Sequence, residues 1–229
     1  MECISSILRM SATTSETVYW ADKLKTSFGI DSEAGNLRDA SILLRTTYKY
    51  LSVMPEVLVR ACGVVRLIFE SMGESRSFSP NHGFYIPIQK IITLNADMFY
   101  NPDQPDDFFD DRGYHLTRVE QTLYHEFFHA LDHMLGDISL QEPWMKLSGW
   151  SKEKKPGMKR LIIEEPGAPK VVGEYWFDPK FENNFTRFYA KRNPFDDFAD
   201  SGAYYIGLKN KVPGNKRAYL DKLLAPYFK

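Results

Sequence analysis

Apolar positions recur at three- and four-residue steps from Asn36 to Leu51, where Leu37, Ala40, Leu44, Tyr48 and Leu51 share one face. That spacing predicts an amphipathic helix. "PEVLVRACG" opens with Pro55 and closes with Gly63, which suits a second, shorter helix. The pattern then changes. "VVRLIFE", Val64 to Glu70, is short, β-branched and bounded by Gly63 and Gly73, and it reads as a strand. "FYIPIQKIITL", Phe84 to Leu94, reads as a further strand, at a sheet edge or broken at Pro87, because proline cannot donate to a ladder. From Thr117 to Gly136 the helical period returns, with Val119, Leu123, Phe127, Ala130 and Met134 on one face. Thr117 followed by Glu120 predicts a capping box, and Gly136 a C-terminal stop.

Beyond that helix, Trp144 to Lys159 is expected as a loop, and "RLIIEE" and "KVVGEYWF" as a hairpin about "PGAP". "FENNFTRFYAKR" looks helical, "NPFDDFADSGAYYIG" opens another helix, and "NKRAYLDKLLAPYF" makes a last one. Residues 1–34 are Ser/Thr-rich and weakly patterned, so a mobile leader is expected there, with one short helix near Val18 to Phe28. Helices, a few strands, then mostly helices place the chain in the α+β class, with one domain over residues 35–229.

Composition narrows the function classes. The net charge is -1 over 229 residues, so no general electrostatic reason favours nucleic acid or an anionic membrane as partner. No apolar run approaches the roughly 18–20 residues that span a bilayer. No Sec-type signal is readable at the start, so a cytoplasmic location or export by another route is expected. Two cysteines, Cys3 and Cys62, favour free thiols over a disulfide framework.

Charged and polar chemistry concentrates in "TLYHEFFHALDH", Thr122 to His133, which holds three of the five histidines. At about 100° per residue, His125 and His129 lie about 40° apart on the face opposite the apolar stripe. Both can reach one metal ion, while Glu126, about a quarter turn away, is placed to hold water rather than to ligate. Two imidazoles and one carboxylate leave an open position on zinc, whose charge brings a water pKa toward ~7. A nearby carboxylate then accepts the proton and returns it to the leaving amine.

The third ligand must come from elsewhere. The extended pattern His-Glu-x-x-His-x-x-Gly-x-x-His fails, because residues 132 and 135 are Asp132 and Leu135. No Asn-Glu-x-x-x-Asp string occurs. The best source is "FYAKRNPFDDFAD", Phe188 to Asp200. Asn193 can cap a helix, Pro194 fits its first position, and Asp196 and Asp197 fall in the first turn. Acidic residues at a helix start also suit the macrodipole with no metal present. That reading explains less well why Asp200 sits one turn below Asp196 on the same face. Asp196, Asp197 and Asp200 are therefore all candidates.

Taken together, "HEFFHALD" and "YAKRNPFDDFAD" resemble the anthrax lethal factor-like metallopeptidases, a zincin family that includes the Pro-Pro endopeptidases. That family pairs the His-Glu-x-x-His helix with a later Tyr and, seven residues on, a carboxylate ligand at a helix start. Tyr189 and Asp196 are seven apart, and Asn193, Pro194, Asp197, Phe198 and Ala199 also fit. The resemblance covers roughly Val64 to Ile206. It implies a zincin-like fold, one zinc held by His125, His129 and Asp196, Glu126 as general base, and Tyr189 as transition-state donor. Asp132 and Asp200 are placed to orient a ligand imidazole. This chain departs from the family in carrying Phe128 where Gly usually precedes the second His, and Asp where the third ligand is usually Glu. A shorter ligand requires a closer helix, or Asp197 or Asp200 in its place.

The expected function is zinc-dependent endopeptidase, with a peptide substrate extended along Phe84 to Leu94. Two other classes fit: a catalytically inactive binding module, and a protein with a purely structural zinc site. His133 is expected at the surface, His82 and His115 in or beside loops, "DQPDDFFDD" as a solvated acidic loop, and Trp144 and Trp150 as core or lid packing.

Overall fold

The computed structural model describes residues 2–35, 37, 39–71, 83–105, 116–162 and 173–228, with side chains from residue 15 onward. In chain order the elements are α1 (Glu2–Phe28), β1 (Asp31–Glu33), α2 (Ala40–Leu51), α3 (Glu56–Ala61), β2 (Arg66–Glu70), β3 (Gly83–Ile86) and β4 (Ile91–Asn95). There follow α4 (Arg118–Met134), α5 (Glu142–Ser148), β5 (Trp150–Ser151), β6 (Trp176–Phe177), α6 (Pro194–Gly207) and α7 (Gly214–Leu224). The α+β expectation agrees with this arrangement.

Four strands form a mixed sheet in the order β1-β2-β4-β3. β1 and β4 run parallel to β2, while β3 is antiparallel to β4 in the register Tyr85↔Ile92 and sits at the edge. Alternation on β2 buries Leu67 and Phe69 and exposes Arg66 and Glu70, as a half-covered strand requires. α4 packs between β3 and β4 on one side and α6 on another. Its stripe of Val119, Leu123, Phe127 and Ala130 is fully buried. A smaller apolar cluster of Trp150, Tyr175, Phe177, Phe185 and Ala190 backs the segment leading into α6.

Several expectations are corrected. The segment expected as a mobile leader carries core residues: Leu24, Phe28 and Ile30 are buried, and Asp31–Glu33 pair with β2. The Leu24/Phe28 pair, one turn apart, contributes an apolar stripe that a Ser/Thr-rich composition masks. The stretch Phe84 to Leu94 is broken at Pro87 and its first half is the edge strand, as expected, but the two halves pair with each other as a hairpin, with Pro87 in the turn and Lys90 at φ 55°. Trp144 lies on α5 and is fully buried, so this part of the expected loop is helix, and both Trp144 and Trp150 are core residues. "FENNFTRFYAKR" is not one helix; it holds the 3-10 segments Pro179–Asn184 and Tyr189–Lys191 with Phe185 extended between them. β6 pairs with β5, and the "PGAP" turn lies outside the described residues. So do His82, His115 and most of the acidic loop. Among the described residues, no helix is long and apolar enough to cross a membrane.

Candidate metal centre

Two well-capped helices meet at the site. At the start of α4, Thr117 Oγ1 accepts from the Glu120 backbone N–H, and Glu120 Oε2 accepts from that of Thr117, completing the box. At the start of α6, Asn193 Oδ1 accepts from the Asp196 N–H at 2.8 Å, while Asn193 Nδ2 donates to Asp196 Oδ2. The cap residue therefore also aims the Asp196 carboxylate.

His125, His129 and Asp196 each turn one donor atom toward a common point. The separations are 2.9 Å between the two Nε2 atoms, 3.3 Å from His129 Nε2 to Asp196 Oδ1, and 3.7 Å from His125 Nε2 to the same oxygen. Ligands about 2.0–2.1 Å from a tetrahedral ion stand about 3.3 Å from one another. The three edges bracket that value, so the group could hold a metal ion. The donor types agree, since imidazole nitrogen and carboxylate oxygen are the ligands zinc accepts.

Asp200, one turn along α6, fixes the first imidazole. His125 Nδ1 lies 2.8 Å from Asp200 Oδ1, and in the neutral ring that a metal requires Nδ1–H donates there and Nε2 turns its lone pair toward the centre. Asp200 is itself held by Arg187, through Nε and Nη2 at 2.9 Å each, and by Gln121 Nε2 at 2.8 Å. Burial pushes the Asp200 carboxyl up, but Arg187 and His125 outweigh it and hold it below the ordinary range. Burial also pushes Asp196 up, and its hydrogen bonds to His125 and His129 win, leaving it strongly depressed. For His125 in the metal-free protein, burial disfavours the charge. The Asp200 charge and the bonds to Asp196 and Asp200 raise its pKa to about 10.

The other two carboxylates proposed from the sequence are engaged elsewhere. Asp197 is fully buried, pairs with Lys216, and accepts from Ser148 Oγ at 2.6 Å and Trp150 Nε1 at 3.1 Å. Asp132 accepts from the Ser139 backbone N–H at 2.8 Å and from Ser139 Oγ at 2.6 Å, capping the next turn rather than orienting a ligand. His133 is exposed beside Asp137, as expected.

Glu126 is buried at the edge of the sheet, where it accepts from the Tyr85 backbone N–H of β3. Burial pushes its carboxyl up against the pull of His125 and His129, the direction a proton-accepting carboxylate needs near neutral pH. Tyr189 is half-buried, its ring centroid 5.9 Å from that of His125.

Phe128, the residue before the second His of the pair, meets a glycine on the partner helix. A Cβ at Gly202 would lie 2.0 Å from Phe128 Cδ1, so α6 can approach α4 this closely only with glycine there. Close approach is what a ligand one methylene shorter than Glu needs. Sequence reasoning did not single out Arg187, Arg192, Gln121 or Lys216. Their signal was basic and polar residues in stretches otherwise bound for the interior, where a charge requires a partner. Neither known protein families nor curated proteins yielded a match to this chain.

Proposed function

We propose that this protein is a zinc-dependent endopeptidase with a zincin-like fold, related to the lethal factor-like metallopeptidases. One observation supports this above the others: His125, His129 and Asp196 converge at ligand spacing with Glu126 beside them. A zinc ion bound there supplies Lewis acidity, polarising a carbonyl and bringing the pKa of water toward ~7. Glu126 takes the proton from the attacking water and later gives it to the leaving amine. Tyr189, on the His125 side, donates its hydroxyl hydrogen to the oxygen where negative charge develops. The substrate lies extended along β3, the sheet edge that also holds Glu126 through Tyr85.

A closed structural zinc site needs a fourth protein ligand. Among the described residues, no fourth His, Cys, Asp or Glu joins the three. That favours an open coordination position over the structural alternative. The test is metal analysis followed by cleavage profiling on a peptide library, with and without a strong chelator. About one zinc per chain and chelator-sensitive cleavage support the proposal. Purified protein that binds no transition metal tightly refutes it.

A further inference from the structure

Arg192 stands between the two residues that the proposed chemistry places at the metal. It lies three residues after Tyr189 and four before Asp196, at the end of the 3-10 turn Tyr189–Lys191. Its backbone N–H donates to the Tyr189 carbonyl at 3.0 Å, which folds the two side chains onto one side. Arg192 Nη1 donates to Tyr189 Oη at 2.5 Å, and the guanidinium carbon lies 5.4 Å from the Tyr189 ring centroid. Arg192 Nε is 3.7 Å from Asp196 Oδ2. A second guanidinium, Arg187, lies 5.2 Å from the same ring and is anchored on Asp200.

We infer that Arg192 is a positioning residue, holding the Tyr189 hydroxyl at one place and in one orientation beside the metal centre. The chemistry of the pair carries this. A guanidinium has five donors and no acceptor. In their shared hydrogen bond Tyr189 Oη must therefore be the acceptor, and the phenol's own proton is directed away from Arg192. A phenol on a half-exposed turn otherwise samples its torsion and its ring position freely, and each extra conformer lowers the fraction poised to donate. Arg192 removes that freedom by holding the hydroxyl end of the ring. Its contact with Asp196 Oδ2 leaves Oδ1, the oxygen facing the two imidazoles, as the free metal-side atom. Lysine offers a point charge and no planar fork, so it should hold the hydroxyl less well.

The inference deepens the peptidase reading and rests on it for its kinetic consequence, but not for its structural one. Two readouts keep these apart. In the zinc-loaded full chain, tyrosine labelled with carbon-13 at Cζ gives a resonance for residue 189, identified by its loss in Tyr189→Phe. Arg192→Met should move and broaden that resonance, and Arg192→Lys should do so partly. On a cleaved peptide, Arg192→Met should lower kcat roughly tenfold, less than the roughly 10²–10³-fold expected for loss of the donor itself, with KM little changed. In the Tyr189→Phe background the same change should alter kcat by no more than about twofold, since the two act as one unit.

An unmoved Cζ resonance in Arg192→Met overturns the inference. So does an equal fall in kcat in both backgrounds, which would mean Arg192 acts independently of Tyr189. A loss of zinc content in Arg192→Met and Arg192→Lys also overturns it, by moving the role to Asp196. If the zinc-loaded wild type cleaves no peptide, the peptidase reading falls alone, and the Cζ resonance still decides the positioning.

Discussion

Two imidazole nitrogens 2.9 Å apart, with a carboxylate oxygen 3.3 Å from one of them, make a site that favours a cation. In the metal-free protein the cation is a proton, and its residence on His125 is favoured up to a pKa of about 10. The sign follows. A raised histidine contributes stability that is complete below its unfolded value of ~6.5 and is lost as pH climbs through about 10. A metal must displace that proton, so apparent zinc affinity should rise about tenfold per pH unit as pH climbs toward that upper value. Competition titration against a chelator of known affinity, at several pH values, reads the slope; a flat profile contradicts a protonated His125. Asp196→Ala and Asp197→Ala should separate cleanly. The first removes a ligand and should abolish tight zinc binding with modest change in folding. The second leaves Lys216 buried without its partner and should reduce stability by about 3–5 kcal/mol, visible in denaturant titration of the metal-free protein. Tyr189→Phe should lower kcat roughly 10²–10³-fold with zinc content and KM unchanged. A Phe variant with wild-type kcat removes Tyr189 from the chemistry. The two histidines and Glu126 were legible in sequence because one helical turn brings i and i+4 together whatever the fold. Asp196 needed a tertiary argument. Only burial shows that Asp197 is spent on Lys216 and Asp132 on Ser139, because three-dimensional partners decide which of several carboxylates faces a metal.

At the scale of elements, the distance between α4 and α6 sets whether an aspartate can reach. Gly202 carries that distance, because any side chain there meets the Phe128 ring. Gly202→Ala should therefore force the helices apart, destabilise by about 1–3 kcal/mol as overpacking does, and weaken zinc binding although no ligand is touched. Calorimetric titration alongside thermal melting checks both effects, and unchanged affinity in a destabilised variant would separate the packing from the metal. α4 and α6 were legible because their caps are local: Thr117 with Glu120, and Asn193 with Pro194, fix helix starts within four residues. The stretch before α6 was misread as helix because its aromatic spacing is helix-like. Of those rings only Phe185 enters the small cluster with Trp150 and Phe177, while Phe188 is exposed, so no continuous helical face is buried there. The hairpin within Phe84 to Leu94 was hidden for a related reason. Apolar residues continue across its turn, and Ile88 at the tip is almost fully exposed at 97%.

For the whole molecule, the sheet, α4 and α6 share one core that reaches from Leu24 to Leu224, so the candidate metal centre sits between elements drawn from well-separated parts of the chain. α1 belongs to that core through Leu24 and Phe28, and Phe28 and Trp20 pack on Tyr48 of α2. Weak patterning at the start of the chain concealed this, since a helix that offers two or three apolar residues to a neighbour gives little periodic signal. At the other end, Lys216 of α7 reaches Asp197 of α6, next to the proposed ligand, and ties the last helix to the site. The central claim is that this arrangement holds one zinc and uses Glu126 to activate water. The most direct test is peptide cleavage by the wild type and Glu126→Gln, compared at equal measured zinc occupancy. The account predicts about one zinc per chain in both, cleavage by the wild type, and none by the Gln variant, whose amide cannot accept the proton. Full turnover by Glu126→Gln, or a zinc-loaded wild type that cleaves no peptide, would contradict it.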